Sequence, residues 1–229
     1  MSPIAANLEA LRRRISDALA GESRDVTIVA VSKQKPAEAA RAAFEAGCRD
    51  LGENYVQEAL PKIAALADLA ITWHYIGHLQ TNKARDVAEH FDWVHGVDRA
   101  KAAAALAKAR PAARGPLNVC LQVNISDEDT KGGVAPARAS ALAREVAAMP
   151  ALRLRGLMGM ASPTSEASVQ RSQFRALKQA FDTLVREGFA LDTLSMGMSD
   201  DLESAVAEGA TMVRIGTAIF GERQRKAAA

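Results

Sequence analysis

One lysine stands at the end of an apolar run, where a buried strand is expected to reach solvent. Residues 26–33 read VTIVAVSK, and Lys33 closes this run. A partly desolvated lysine with a cation nearby has a lowered pKa and can attack a carbonyl carbon, so Lys33 is a candidate Schiff-base nucleophile. The alternative is a lysine that reaches out to water or pairs with a carboxylate. Lys35, just before Pro36, is a rival for the same role.

Two stretches near the end of the chain could bind a phosphate group. Ser199 follows an apolar run and precedes an apolar-periodic helix, which predicts a helix N-cap with two aspartates in the first turn. Gly216 and Thr217 interrupt the apolar run 212–220, and a glycine weakens a strand unless something must approach the backbone closely. Backbone N–H groups and a hydroxyl can hold a phosphate without a lysine. The alternative is that Ser199 only caps its helix and Gly216 only makes room for packing.

A Schiff-base lysine combined with a phosphate site indicates a ligand that is an aldehyde carrying a phosphate. Pyridoxal 5′-phosphate (PLP) fits this description. A sugar-phosphate substrate of a Schiff-base aldolase fits it as well, so the residues alone leave both open.

Other polar clusters predict no further site. His74 and His78 are four residues apart, as in a helical metal pair, but residues 72–77 predict a strand that runs into a loop, and no third ligand stands at a useful spacing. We therefore predict no metal site. The acidic stretch 126–133 lacks the spacing of an EF-hand loop and predicts a solvated loop that ends in a glycine turn. Cys48 and Cys120 are far apart and predict buried, reduced thiols.

The elements that must position these residues alternate along the chain. Eight strand-like runs are predicted at 26–33, 48–54, 72–77, 92–98, 117–125, 152–160, 192–198 and 212–220. Seven helical patterns separate them, at 36–46, 55–69, 81–90, 99–109, 134–148, 166–187 and 200–208. An amphipathic helix over 3–20 precedes the first strand and ends at Gly21.

Strands that alternate with helices form a parallel sheet, and eight of them in this length favour a closed (β/α)8 TIM barrel of the α/β class. An open doubly wound sheet is the second possibility. We predict one domain over 1–229, with a disordered tail from about 222. In a barrel, chemistry lies at the carboxyl ends of the strands, and the last strand neighbours the first, so Arg214 could supply the cation beside Lys33.

The bulk composition excludes several classes of protein. Of 229 residues, 48% are hydrophobic, 24% are charged and 4% are aromatic, which indicates a globular protein with a largely aliphatic core. The formal net charge of +2 argues against nucleic acid and anionic membranes as partners. Neither a signal peptide nor a membrane-spanning run is recognisable, so we expect a cytoplasmic protein, and we expect a monomer.

Seven motifs together resemble the YggS/PROSC family of PLP-binding proteins, also called PLP homeostasis proteins. They span nearly the whole chain in the order of the family: AVSKQKP (30–36), GENYVQE (52–58), WHYIGHLQTNK (73–83), VNISDEDTKGG (123–133), RGLMGM (155–160), SMGMSDDLESA (195–205) and VRIGTAIFG (213–221). The resemblance implies a barrel like the N-terminal domain of alanine racemase, which is fold type III among PLP proteins.

The resemblance also implies roles for individual residues. It implies that Lys33 holds PLP as a Schiff base and that Arg214 faces the pyridine nitrogen. A guanidinium does not readily share a proton, so the resemblance further implies an unprotonated nitrogen and a weak electron sink. The phosphate contacts it implies are Ser199, Gly216 and Thr217. The pocket residues it implies are Asn54, Tyr55, His74 and Met158.

The family resemblance favours a carrier over an enzyme. We expect the protein to buffer PLP inside the cell and to deliver it to PLP-dependent apoenzymes, without a robust reaction of its own. The alternative is an amino-acid racemase of the alanine racemase type, which needs an opposing tyrosine and a C-terminal β-domain. We expect no such domain, since few residues follow the eighth predicted strand, and neither Tyr55 nor Tyr75 can be assigned as the opposing base.

Overall fold

Within residues 2–126 and 132–222, which this computed structural model describes, eight strands pair in chain order and the last pairs with the first. Every pairing is parallel, and the sheet closes into a barrel because the last strand pairs with the first. The strands are Thr27–Val31 (β1), Asp50–Glu53 (β2), Thr72–Tyr75 (β3), Trp93–Val97 (β4), Leu117–Gln122 (β5), Leu152–Met158 (β6), Thr193–Ser195 (β7) and Met212–Ile215 (β8). The predicted (β/α)8 barrel is confirmed, and the open sheet is excluded because β8 pairs with β1.

Helices connect the strands and cover the outside of the barrel. Those in the described part of the chain are Pro3–Leu19 (α1), Ala37–Glu45 (α2), Val56–Ala65 (α3), Ala84–His90 (α4), Ala100–Ala109 (α5), Ala139–Ala147 (α6), Ala167–Arg186 (α7), Leu202–Ala207 (α8) and Thr217–Phe220 (α9). Short 3-10 turns precede α4 and α6, so the predicted helices 81–90 and 134–148 each begin as a tighter turn.

The extra helix α1 forms because its sequence provides both a cap and an apolar stripe. The hydroxyl of Ser2 accepts a hydrogen bond from the backbone N–H of Ala5 at 3.2 Å, which satisfies one free donor of the first turn. Leu8, Leu11 and Ile15, spaced three or four apart, are buried by the barrel helices. Helix α1 therefore packs on the outside of the barrel through this stripe.

The core consists of two apolar regions separated by the sheet. The larger lies between the strands and the helices, and it is largely aliphatic, as the low aromatic content predicts. The smaller lies inside the barrel, where side chains from different strands meet: Val29, Trp93, Cys120, Met158 and Met212. Both cysteines are free thiols and buried, and burial raises the pKa of Cys48 to about 11 and that of Cys120 to about 12.

The last predicted strand is wrong in its second half. β8 ends at Ile215, and residues Thr217–Phe220 form the short helix α9. The chain turns at Gly216, whose carbonyl accepts a hydrogen bond from the N–H of Phe220 at 2.9 Å. An apolar run of this length is ambiguous between strand and helix. Most of the predicted tail and most of the acidic loop lie outside the described residues.

Candidate functional site

The backbone of Lys33 is held in a tight turn at the carboxyl end of β1. The N–H of Lys35 donates to the carbonyl of Ser32 at 3.0 Å, which closes the turn around Lys33 and Gln34. Gln34 has a φ of 60°, a left-handed conformation that costs energy in a residue other than glycine. Its N–H donates to the Glu58 carboxylate at 3.0 Å, which helps to hold the strained turn. The turn therefore presents the partly buried Lys33 in a defined direction.

A buried ion pair supports this turn from behind. The ammonium of Lys62, on α3, donates to a carboxylate oxygen of Glu53 and, at 2.7 Å, to the carbonyl of Ser32. The hydroxyl of Ser32 donates to the same Glu53 oxygen at 2.6 Å. Burial raises the pKa of Glu53, while Lys62 and Ser32 act in the opposite direction. These contacts fix both the side chain and the carbonyl of the residue that precedes Lys33.

The rival Lys35 has its ammonium group occupied. Its Nζ donates to three backbone carbonyls at the end of α9: Phe220 at 3.0 Å, Gly221 at 3.2 Å and Glu222 at 3.1 Å. An ammonium group has three hydrogens, so this set of acceptors uses all of them. Lys35 therefore ties the Lys33 turn to the last helix, and its arrangement is that of a structural lysine.

Arg214 is a buried cation inside the barrel, with only 5% of its surface exposed. Its Nη1 donates to the carbonyl and to the hydroxyl of Ser195, both at 2.7 Å, and its Nη2 donates to the carbonyl of Gly159 at 3.0 Å. Among the described residues, these bonds leave the Nε hydrogen and one Nη2 hydrogen for a further acceptor. Burial lowers the pKa of Arg214 to about 10, with Asp201 opposing the shift, so the group is charged at neutral pH.

The strand register gives the relative depth of these groups in the barrel. Val29 of β1 lies opposite Arg214 of β8, and Ala30 lies opposite Ile215. Lys33 follows Val29 by four residues, which corresponds to about 13 Å along an extended chain. Gly216 adjoins Val31, whose carbonyl oxygen would lie 3.4 Å from an added Cβ. Lys33 and Gly216 therefore lie near the rim, and Arg214 lies deeper on the strand that adjoins β1.

The predicted phosphate residues come together at the ends of β7 and β8. The hydroxyl of Ser199 accepts a hydrogen bond from the N–H of Ala218 at 3.3 Å, so Ser199 lies against the first turn of α9, which Thr217 begins. The predicted N-cap role of Ser199 is wrong, because α8 begins only at Leu202, directly after Asp201. The hydroxyl of Ser199 is placed instead by the turn that follows β8.

The N-terminal helix α1 supports the same region. The guanidinium of Arg14 donates to Glu203 of α8 at 2.6 Å and to the carbonyl of Ser199 at 3.1 Å. The amide of Asn7 donates to the carbonyl of Ile219, in α9, at 2.9 Å. Arg14 and Asn7 of α1 therefore hold the loop that contains Ser199 and helix α9 from outside the barrel.

Asn54 and Tyr55 directly follow β2 at the same end of the barrel. The Oδ1 atom of Asn54 is buried and has no hydrogen-bond partner among the described residues, which is costly for a polar atom unless another group completes it. The ring of Tyr55 is 51% exposed. An orphaned amide oxygen beside an exposed aromatic ring suits a planar polar ligand.

His74 and Met158 lie inside the barrel rather than at its rim. Met158 is 2% exposed and packs with Val29 and Trp93. His74 is completely buried, and both of its ring nitrogens have protein partners, Asp50 at 2.9 Å and His95 at 3.0 Å. These two residues border the interior of the barrel beneath the site.

Sequence reasoning missed several polar residues that support the site. His95 and Ser195 link His74 to Arg214, Asp50 contacts the other ring nitrogen of His74, and Glu53 and Lys62 support the turn of Lys33. A signal was present for His95, because a histidine in the middle of an apolar strand must find a partner. A signal was present for Lys62 as well, since it occupies the buried stripe of α3 with Val56 and Ala59.

A closed parallel barrel with a lysine after its first strand and an arginine in its last strand defines a class, the barrels of the alanine racemase type. The chain belongs to the family of the alanine racemase N-terminal domain, whose model matches residues 3–224. Within the described residues no helix has the length and apolar character needed to cross a membrane.

Among the relatives is the pyridoxal phosphate homeostasis protein of Pseudomonas aeruginosa, which is 55% identical over 226 residues, 97% of each chain. The structure of PipY from Synechococcus elongatus PCC7942 with PLP bound has a TM-score of 0.84 and 38% identity, covering 95% of this chain and 100% of PipY. These similarities confirm the family resemblance drawn from the motifs. Alanine racemase of Clostridium difficile 630 shares the fold, with a TM-score of 0.73 at 15% identity; the match covers 96% of this chain and 58% of the racemase.

Proposed function

We propose that this protein binds PLP as a Schiff base on Lys33 and acts in PLP homeostasis by buffering the cofactor and delivering it. The relative from Pseudomonas aeruginosa is named for pyridoxal phosphate homeostasis, and PipY has been solved with PLP bound. Both similarities cover nearly the whole of each chain, so the inference concerns the complete barrel.

The observation that carries the proposal is the position of Arg214. A buried guanidinium lies deep in the barrel, on the strand that adjoins the one leading to Lys33, and two of its hydrogens have no acceptor among the residues that the structure describes. A buried charge is costly unless its hydrogen bonds are completed. An unprotonated ring nitrogen can accept one of these hydrogen bonds, and a flat ligand can lie between Arg214 and the lysine at the rim.

The remaining residues fit the other parts of the same ligand. Ser199, Gly216 and the start of α9 at Thr217 would hold the phosphate through a hydroxyl and backbone N–H groups. The orphaned oxygen of Asn54 and the exposed ring of Tyr55 would border the ligand ring. His74 and Met158 would close the pocket from below.

When it is bound, PLP supplies an aldehyde that exchanges between amines. The side chains of this protein are suited to holding the cofactor rather than to driving a reaction. Arg214 donates hydrogens and has no acceptor, so it does not supply the proton-sharing carboxylate that would make the ring a strong electron sink. This disfavours elaborate carbanion chemistry and leaves both racemisation and carriage open; we propose a carrier without robust turnover because the chain is similar to a protein named for pyridoxal phosphate homeostasis.

The racemase alternative needs a second acid–base group opposite Lys33. Tyr75 does not suit this role, because it is 4% exposed, its ring packs edge-on against Phe91, and its hydroxyl donates to the carbonyl of His78 at 3.2 Å. Burial also raises the pKa of Tyr75. Tyr55, which is exposed, is the remaining candidate among the two tyrosines of the chain.

The partners that we propose are PLP and the PLP-dependent apoenzymes that receive it. We propose further that the protein is a cytoplasmic monomer with one domain over 1–229. The handover is testable by mixing the loaded protein with an apoenzyme in the presence of a phosphatase that destroys free PLP. Reactivation of the apoenzyme under these conditions supports direct delivery, and its absence contradicts delivery while leaving binding intact.

Absorption spectroscopy of two matched variants tests the Schiff base. Arginine keeps the positive charge and the donors of lysine but forms no Schiff base, so Lys33→Arg and Lys35→Arg separate the two candidates. We expect the visible absorption band of the PLP Schiff base in the wild type and in Lys35→Arg, and we expect its loss in Lys33→Arg. Borohydride reduction followed by peptide mapping should locate the cofactor on Lys33. A band that survives in Lys33→Arg contradicts the assignment.

Turnover is tested separately. The loaded protein is incubated with L- or D-alanine in deuterium oxide, and exchange at Cα is followed by NMR. Exchange at ordinary enzyme rates, about 1 s⁻¹ or faster, would favour the racemase over the carrier.

A further inference from the structure

Lys33 is the second residue of a four-residue turn that follows β1. The carbonyl of the first residue, Ser32, accepts a hydrogen bond from the N–H of the fourth, Lys35, at 3.0 Å. The third residue, Gln34, has a φ of 60°. A positive φ at the third position is the pattern of a type II turn, where glycine or asparagine is usual because other side chains are strained there. Gln34 therefore keeps this conformation only because its surroundings hold it.

The two ends of the turn are held by contacts that do not involve Gln34. The ammonium of Lys62 donates to the carbonyl of Ser32 at 2.7 Å, and the ammonium of Lys35 donates to three carbonyls at the end of α9. These contacts fix where the turn begins and ends. They leave the orientation of the peptide between Lys33 and Gln34 undetermined, because type I and type II turns join the same ends and differ by a flip of this central peptide.

Glu58 selects between the two orientations of that peptide. In the observed turn the N–H of Gln34 donates to the carboxylate of Glu58 at 3.0 Å. In the flipped turn the carbonyl oxygen of Lys33 would face the carboxylate instead, so a hydrogen bond would be replaced by a repulsion between oxygens, neither of which can donate. Glu58 lies in the first turn of α3, so its position is set by that helix and not by the turn that it holds.

The orientation of the peptide matters for the lysine side chain. At the second position of the turn, ψ differs by about 150° between the two turn types. The rotamers that a side chain can adopt depend on its backbone angles, so the direction of the Lys33 ammonium is tied to the turn type. The carbonyl of Tyr55 accepts a hydrogen bond from the N–H of Glu58 at 3.2 Å. The residue that would border the ligand ring and the residue that holds the lysine turn therefore belong to one turn of helix.

We propose that Glu58 is a positioning residue for Schiff-base formation, which holds the peptide between Lys33 and Gln34 in the orientation that presents the lysine to an aldehyde. This inference rests on the proposed function, since it concerns the bond between Lys33 and PLP. Glu58 acts through the turn and needs no contact with the ligand. Its loss should therefore weaken the covalent attachment and leave the binding of the ring and the phosphate unchanged.

NMR of the protein without cofactor tests the hold of Glu58 on the turn. A positive φ brings the amide and α hydrogens of one residue close together, so Gln34 should give an intense intraresidue cross-peak between them. We expect this intensity in the wild type and a clear loss in Glu58→Ala. Glu38→Ala is the matched control, since Glu38 is an exposed glutamate in the first turn of α2. A weak cross-peak in the wild type, or an unchanged one in Glu58→Ala, overturns the proposal.

Titration with two ligands tests the consequence for Lys33. We expect Glu58→Ala to bind PLP about three- to tenfold more weakly than the wild type, from the lost hydrogen bond to a charged acceptor. Pyridoxine 5′-phosphate carries an alcohol in place of the aldehyde, so its affinity, measured by calorimetry, should be the same in both proteins. Glu38→Ala should match the wild type with PLP. Equal losses for the two ligands would mean that Glu58 supports the whole site, and this contradicts a positioning role toward Lys33.

A second substitution separates the turn from the charge of Glu58. Burial raises the pKa of Glu53 and the charge of Glu58 adds to this effect, so Glu58 also acts on its neighbours electrostatically. Gln34→Gly provides a residue that adopts a positive φ without strain. In this background Glu58→Ala should change the PLP affinity by about twofold or less. An effect as large as in the chain with Gln34 would assign the role of Glu58 to its charge and overturn the proposal.

The two sets of measurements keep this inference separate from the proposed function. A wild type that forms no visible band with PLP contradicts the proposed function. The cross-peak of Gln34 in the protein without cofactor then still decides whether Glu58 holds the turn. A normal band, combined with an unchanged cross-peak and unchanged affinity in Glu58→Ala, leaves the proposed function standing and refutes the role of Glu58.

Discussion

The ammonium group of Lys62 lies directly against the Glu53 carboxylate, and the two side chains expose only 6% and 0% of their surfaces. This ion pair lies between β2 and α3, behind the turn that presents Lys33. The same ammonium also donates to the carbonyl of Ser32. The pair therefore connects β2 with α3 and, through the Ser32 carbonyl, helps to hold the turn that contains Lys33, the Schiff-base candidate.

Removing one partner of this pair should destabilise the protein strongly. Lys62→Met leaves the Glu53 carboxylate buried without its cation, and breaking a buried pair costs about 3–5 kcal/mol. Urea unfolding, followed by circular dichroism, measures the loss. Arg41→Met is the control, because the Arg41–Asp68 pair is largely exposed and its loss should leave the unfolding midpoint unchanged.

The double variant Glu53→Gln/Lys62→Met distinguishes an unpaired charge from lost packing. It removes both charges, so it should recover a substantial part of the stability that Lys62→Met loses. A double variant as unstable as the sum of the two single variants is incompatible with a buried charge as the cause.

The buried His95 should make the protein less stable in mild acid. Its pKa in the folded protein is well below the ordinary value of 6.5, so below about pH 6.5 the unfolded chain binds a proton that the folded chain does not. The free energy of unfolding should fall by up to about 1.4 kcal/mol per pH unit from this residue alone as the pH drops. Denaturant unfolding between pH 7.5 and 5 measures the slope. His95→Gln should have a shallower slope, and an equal slope in both proteins refutes the assignment.

The thiols of Cys48 and Cys120 should resist modification in the native protein. Both are buried, and burial raises their pKa values to about 11 and about 12, so little reactive thiolate is present at neutral pH. With Ellman's reagent we expect no rapid phase in buffer and two thiols per chain in denaturant. A rapid reaction of either thiol in buffer means that its strand opens locally.

The contact of Arg14 with the Ser199 carbonyl should contribute to PLP affinity. Arg14→Gln removes that contact and the bond to Glu203, both partly exposed, so we expect an affinity about two- to fivefold weaker. Arg13→Gln is the matched control, since Arg13 pairs with Glu9 of the same helix and both side chains are exposed. Titration of the visible band with PLP measures both constants. Equal losses in both variants would exclude a specific role of Arg14.

The architecture of the barrel could be predicted because alternation of strands and helices is a local pattern. Eight strands in a closed barrel place the first strand beside the last, so the sequence alone predicts Arg214 on the strand next to that of Lys33, as the pairing of β1 with β8 confirms. Helix α9 could not be predicted in this way, because a short apolar run such as GTAIF (216–220) is compatible with either a strand or a helix. The N-cap expectation for Ser199 failed because its partner comes from that helix.

The chain of hydrogen bonds from His74 to Arg214 could not be predicted from the sequence, for a different reason. His74 and His95 are 21 residues apart, and Ser195 is 100 residues further on from His95. Their contacts depend on which alternate residues of each strand face inward and on the register between strands, and neither is encoded locally. The sequence could only indicate that a histidine within an apolar strand requires a partner.

The pairing of β1 with β8 makes the ligand site a product of complete synthesis. Lys33 emerges from the ribosome early and Arg214 last, so a nascent or truncated chain holds only half of the site. If PLP is held by both Lys33 and Arg214, as proposed, the site is complete only in the closed barrel, and binding then stabilises the pairing of the first strand with the last. Cofactor loading thus reports that the last strand has been made and has found its place.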